Sequence, residues 1–114
     1  MNRIEVLPIP GTTLAESKDE ARELREQKIL PSLENGEPIE IDFAGVETAT
    51  QSFVHALIAE AIRRYGEKAF DLLIFKNASS EVRQVVLTVF EYTLLAAETA
   101  KGIKGVPKPK PPKR

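Results

Sequence analysis

With 114 residues and no cysteine or tryptophan, the chain can build one modest core but no disulfide, thiolate metal site or cysteine nucleophile. All 17 acidic residues but only ten of the 16 basic ones precede Lys101, so an acidic body is followed by a basic end. An acidic body argues against a broad nucleic-acid-binding face, and no apolar run reaches the roughly 20 residues of a membrane span. The first residues, Met1 to Glu5, also lack the apolar run of a signal peptide, so a cytoplasmic protein is expected.

Ile4 and Val6 alternate with Arg3 and Glu5 at the period of a strand, which Pro8, Pro10 and Gly11 stop. Thr13 with Glu16 and Ser17 with Glu20 have the capping-box spacing, a hydroxyl for one backbone N–H and a carboxylate for another. A helix from about Ser17 carries Ala21, Leu24, Lys28 and Ile29 on one side. Pro31 should kink or end it, with Leu33 completing the packing before an Asn35-Gly36 stop.

Pro38 to Phe43 reads as the next strand, with Ile39, Ile41 and Phe43 on one face. Thr48 and Gln51 form a further capping-box pair and open a helix to about Tyr65, ended by Gly66. Phe70 to Phe75 is almost continuously apolar, as a central strand covered on both faces would be. The last helix, about Ser80 to Ala97, repeats Val82, Val85, Val86, Val89, Phe90, Thr93, Leu94 and Ala97 at helical spacing. The order β-α-β-α-β-α predicts an α/β fold, a small sandwich whose mostly parallel sheet has right-handed crossovers and helices packed on it. Residues 1–100 would form the domain, and 101–114 a disordered Lys/Pro-rich tail.

The central helix buries a broad arc of Phe53, Val54, Leu57, Ile58, Ala61, Ile62 and Tyr65. Ser52, His55, Ala59 and Arg63 share the other side. There Ala56 and Ala59 make a low ledge that could accept a partner helix or loop, or be plain solvated surface. Ser52 and His55, one turn apart, lack an evident oxyanion hole and orienting carboxylate, so no triad is read. One histidine and no cysteine argue against zinc, and no phosphate-binding glycine motif is present. Asp42 and Glu47 bracket the Gly45 turn; Asp42 is read as tying down loop N–H groups and Glu47 as turn surface, not as an acid pair or magnesium site.

Asn77, Ala78, Ser79 and Ser80 follow the apolar run and start the last helix. At the carboxyl end of a parallel sheet they should share an edge with Thr48, Thr50, Gln51 and Ser52. Two hydroxyl-rich helix starts there suit an anion or a protein partner, and helix capping alone also explains them.

The segment from Ile41 to Leu57 resembles STAS domains, the fold of bacterial anti-sigma-factor antagonists, with Asp42-Phe43-Ala44-Gly45-Val46 at the strand end and Leu57 on the helix. A closer resemblance is to the prokaryotic STAS-like domain family of unknown function. That family reads Asp-Phe-x-Gly-Val, then Ser-Phe and a helix; Ser17-Lys18-Asp19-Glu20-Ala21-Arg22 and Asn77 fit it as well. The resemblance spans roughly Ser17 to Ala97 and implies a non-catalytic signalling module that binds a protein partner, a GHKL-type ATPase or another regulator. In the phosphorylated antagonists that kinase class modifies the Ser of an Asp-Ser pair. Here Thr50 stands at the Asp and Gln51 at the Ser, with Ser52 one position later, so the phospho-acceptor is not reproduced in register. The expected binding or regulatory residues are Thr48, Thr50, Gln51, Ser52, His55, Asn77 and Ser79, with no cofactor and no membrane. A small-anion or nucleotide-binding domain or enzyme using the same edge stays open, as does a nucleic-acid-associated regulator acting through the basic tail.

Overall fold

The computed structural model describes residues 2–102, and side chains over 2–96. Strand β1 (Asn2–Glu5) and a two-residue strand β2 (Leu14–Ala15) lead into α1 (Lys18–Leu24). A π-helical turn (Arg25–Ile29) carries that helix on into α2 (Leu30–Glu34). Next come β3 (Ile39–Asp42), a second short strand β4 (Thr48–Ala49) and α3 (Gln51–Tyr65). A short α4 (Lys68–Leu72), β5 (Leu73–Lys76) and the long α5 (Ser80–Gly102) complete the order.

The main sheet is parallel in the order β1-β3-β5, with Ile4 beside Ile41 and Ile41 beside Phe75. One face carries Ile4, Ile39, Ile41, Leu73 and Phe75, buried or half-buried beneath the helices. The other carries Arg3, Glu5, Glu40, Ile74 and Lys76, exposed or half-buried, and the buried Asp42. Helix α3 packs against both α1 and α5, and buries Phe53, Val54, Leu57, Ile58, Ala59, Ala61 and Ile62. Burying each large aliphatic or aromatic side chain of this set contributes about 1.5–3 kcal/mol relative to leaving it in water. The small parallel ladder β2-β4 lies apart from the main sheet in pairing, and sequence reading did not find it.

Three expectations need correction. The run Phe70 to Phe75 is not a central strand covered on both faces: β3 is central, and β5 is an edge strand. Its first half is wound into α4, where Ala69 and Phe70 N–H groups donate back to Gly66 and Glu67. Phe70 there meets Phe90 edge-on at 5.2 Å, so its bulk serves α5 and not the sheet. Of the kink or end expected at Pro31, the end does not occur. Proline lacks an N–H and its ring crowds the carbonyl four residues back. The π turn just upstream, where Leu30 N–H reaches Arg25 C=O, widens the backbone, and the helix continues to Glu34. Finally, α5 runs on past Ala97 to Gly102. The rest of the expected tail lies outside the described residues.

Candidate functional site

The carboxyl end of β3 turns sharply. Phe43 C=O accepts the Val46 N–H at 2.9 Å, and Gly45 holds φ +85°, the type II geometry that favours glycine. Beside this turn the buried Asp42 carboxylate joins separate parts of the chain. One oxygen accepts the Ala44 N–H and the Asn77 side-chain amide, both at 2.9 Å. The other accepts the Arg3 guanidinium from β1. The Asn77 hydrogen bond, then the Ala44 N–H and the Arg3 charge, hold the Asp42 carboxyl below the usual carboxylate range. They outweigh burial, which acts in the opposite direction. Asn77 itself adopts φ +56°, a left-handed conformation that asparagine tolerates better than most residues.

The helix starts are set by the loops before them. The Glu47 and Thr48 N–H groups donate to Thr13 C=O, and the Thr50 N–H to Ala15 C=O, so the approaches to α1 and α3 run side by side. Thr50, not Thr48, caps α3: its hydroxyl accepts the Phe53 N–H at 3.1 Å. Thr48 lies in β4, its hydroxyl 3.3 Å from the Glu81 carboxylate. Thr13 likewise gives its backbone to this ladder, while Ser17 caps α1 by accepting the Glu20 N–H. Ser79 caps α5 by accepting the Val82 N–H at 3.0 Å and donates its own hydroxyl proton to Glu47 C=O at 2.8 Å. The two hydroxyl-rich connections therefore meet at one end of the sheet.

The site residues divide around the Thr50 cap. On the α5 side Thr48 and Ser79 each bond across between the approach to α3 and the start of α5, and Asn77 bonds Asp42. Gln51 and Ser52, both exposed, and the half-buried His55 line a shallow hollow of about 330 Å³ with Lys18 and Ala56 on the α1 side. No carboxylate lines this hollow, and no hydrogen bond joins Ser52 to His55 among the described residues. The ledge expected at Ala56 and Ala59 is taken by the chain itself. Helix α1 packs on α3, Ala59 is buried, and Arg25 donates to Ala56 C=O at 3.1 Å.

Sequence reasoning missed Arg3, Lys18 and Glu81. Each comes from an element distant in sequence from the partner it serves, and only strand order and helix docking bring it there. Asp42 was legible, because a carboxylate at a strand end next to a Gly turn has loop N–H groups within reach.

Among the described residues no group of three or more His, Asp and Glu could hold a metal ion, and no helix is long and apolar enough to cross a membrane. A parallel sheet with helices on one face, and an Asp-centred turn opening its principal helix, define a STAS-like α/β module. The family model described as STAS-like domain of unknown function (DUF4325) matches residues 20–83, and the chain belongs to that family. Comparison with curated proteins and with solved structures gave no match.

Proposed function

We propose that this module binds a protein partner through the carboxyl-end edge of its sheet. Thr48, Gln51, Ser52 and His55 would meet the partner together with Asn77 and Ser79, while Thr50 holds the start of α3 in place. The observation that carries this reading is the Asp42 carboxylate, which ties the turn after β3 to the connection after β5. Loops tied in this way lose little conformational freedom on association, and the polar groups left outward are free for a partner. Resemblance of the Asp42 to Val46 turn to that of anti-sigma-factor antagonists suggests the partner class, a GHKL-type ATPase or another regulator.

The test uses purified chain and a candidate ATPase encoded beside it in the host. Gln51→Arg with Ser52→Arg should weaken the complex at least about tenfold, as central contacts do. Unchanged circular dichroism would show the fold intact. A complex of undiminished affinity would place the partner elsewhere.

A second reading, a small-anion site, rests on Lys18, which shares the hollow with Ser52, His55 and the start of α3. Phosphate titration followed by NMR would support it if the Lys18, Gln51, Ser52 and His55 signals moved together and saturably. Absence of such shifts would remove it.

A further inference from the structure

On the flank away from the hollow, the sheet ends at β5, with no strand beyond it among the described residues. Because Phe43 N–H donates to Lys76 C=O at 2.9 Å, the alternation of a parallel ladder turns the Phe75 backbone outward, to the open edge. Alongside runs an apolar groove of about 650 Å³ between β5 and α5, with Phe70, Ile74, Leu87 and Arg83 among its lining residues. Phe70 is 59% exposed and Leu87 47%. The opposite edge is built otherwise: β1 reads Asn2-Arg3-Ile4-Glu5, with charges of the kind that keep strand edges apart.

The charges along the β5 flank are ordered. Since α5 returns antiparallel to β5, Arg83 stands near the carboxyl end of the strand. Glu67 and Asp71 flank Phe70 near its amino end. None of the three forms an ion pair among the described residues. A twofold axis through the β5 edge would lay a second strand antiparallel to the first. It would set Arg83 of each copy beside the acidic end of the other, and Phe75 would exchange its N–H and C=O with its own mate.

We infer that the occupant of this flank is a second copy of the chain, paired β5 to β5 in an antiparallel, twofold manner that extends the sheet to six strands. The interface is isologous, so every contact occurs twice. Leu87 and Phe70 close over the strand pair, removing exposed apolar surface from water.

Sedimentation equilibrium of the whole chain tests this. The wild type should show a reversible monomer–dimer equilibrium. Leu87→Glu, at an exposed position, should raise the dissociation constant at least about tenfold, and Arg83→Asp alone should weaken the dimer too. Combining Arg83→Asp with Asp71→Arg should restore it, because the swapped charges again face each other; a merely structural effect would not be rescued. A wild type that stays monomeric to about 1 mM overturns the inference, since even a weak specific interface would be populated there. The flank would then be open to an extended strand of a different protein. A dimer indifferent to these substitutions also overturns it. The groove meets the carboxyl-end edge only at Asn77; Leu87, Arg83 and Asp71, the positions changed here, have no part in the contact proposed there, so neither result bears on it.

Discussion

At the carboxyl end of the sheet, polar groups are abundant and answered within the chain. Asp42 takes hydrogen bonds from Ala44, Asn77 and Arg3, Thr50 and Ser79 cap their helices, and Ser79 also reaches Glu47. On the β5 flank the large apolar side chains of Phe70 and Leu87 are exposed among charged neighbours, and among the described residues the outward backbone of the strand has no neighbouring strand. The two regions store free energy differently. A satisfied polar edge can stay in water at little cost and wait for a partner, whereas an apolar edge gains whenever something covers it. A regulated contact suits the first and a standing self-association suits the second.

The largest effect should come from removing what the two regions share. Ile41 is fully buried at the centre of β3, in register with Ile4 on one side and Phe75 on the other. Ile41→Ala should cost about 2–5 kcal/mol in denaturant unfolding, because lost transfer free energy adds to the cavity left behind. Partner binding and β5 pairing should both suffer. A cost below about 1 kcal/mol would mean that the sheet does not couple the regions in this way.

Acid should separate them. The folded-state pKa of Asp42 lies below its ordinary value, so between the two the unfolded chain binds more protons than the folded one. Stability from this carboxylate is complete above the unfolded pKa of about 3.9 and is lost as pH falls through the lower, folded value. Asp42→Asn should therefore be less stable than wild type at neutral pH, and the two should converge on acidification. The mutant should lose partner affinity as the loops loosen, yet keep its β5 pairing at pH 7. Parallel pH profiles for the two proteins would sink this account of the carboxyl end.

What could be read from sequence was what depends on near neighbours. The Gly45 turn, the loop-tying role of Asp42, the Asn35-Gly36 stop and the hydroxyl-rich helix starts all follow from residues within a few positions of one another. Thr48 misled because capping-box spacing also occurs in a two-residue strand whose partner, β2, lies far back in the chain. Phe70 to Phe75 misled for a related reason. A continuous apolar run looks the same whether both faces of a strand are covered or half the run is a helix packed on Phe90. The approach of the loop around Thr48 to the start of α5 follows from parallel topology, but the filling of the Ala56 and Ala59 ledge by α1 required the docked helix itself.

The smallest effect is also the most discriminating, since it compares two hydroxyls two residues apart. Thr50 spends its hydroxyl on the Phe53 N–H and is half-buried, while Ser52 is exposed on the first turn of α3. Thr50→Ala leaves one N–H at the start of α3 without its cap and should cost about 1 kcal/mol. Ser52→Ala should change stability by less than about 0.5 kcal/mol, as exposed substitutions away from such features usually do. In binding the ranking should reverse, for Ser52 would face the partner while Thr50 only positions it. Thermal unfolding and titration of the same two variants read both orders. If Ser52→Ala destabilises as much as Thr50→Ala, the helix begins later than Gln51 and the proposed contact surface is displaced by a residue. If neither variant alters affinity, the start of α3 is scaffold and the partner must be held from the Asn77 side.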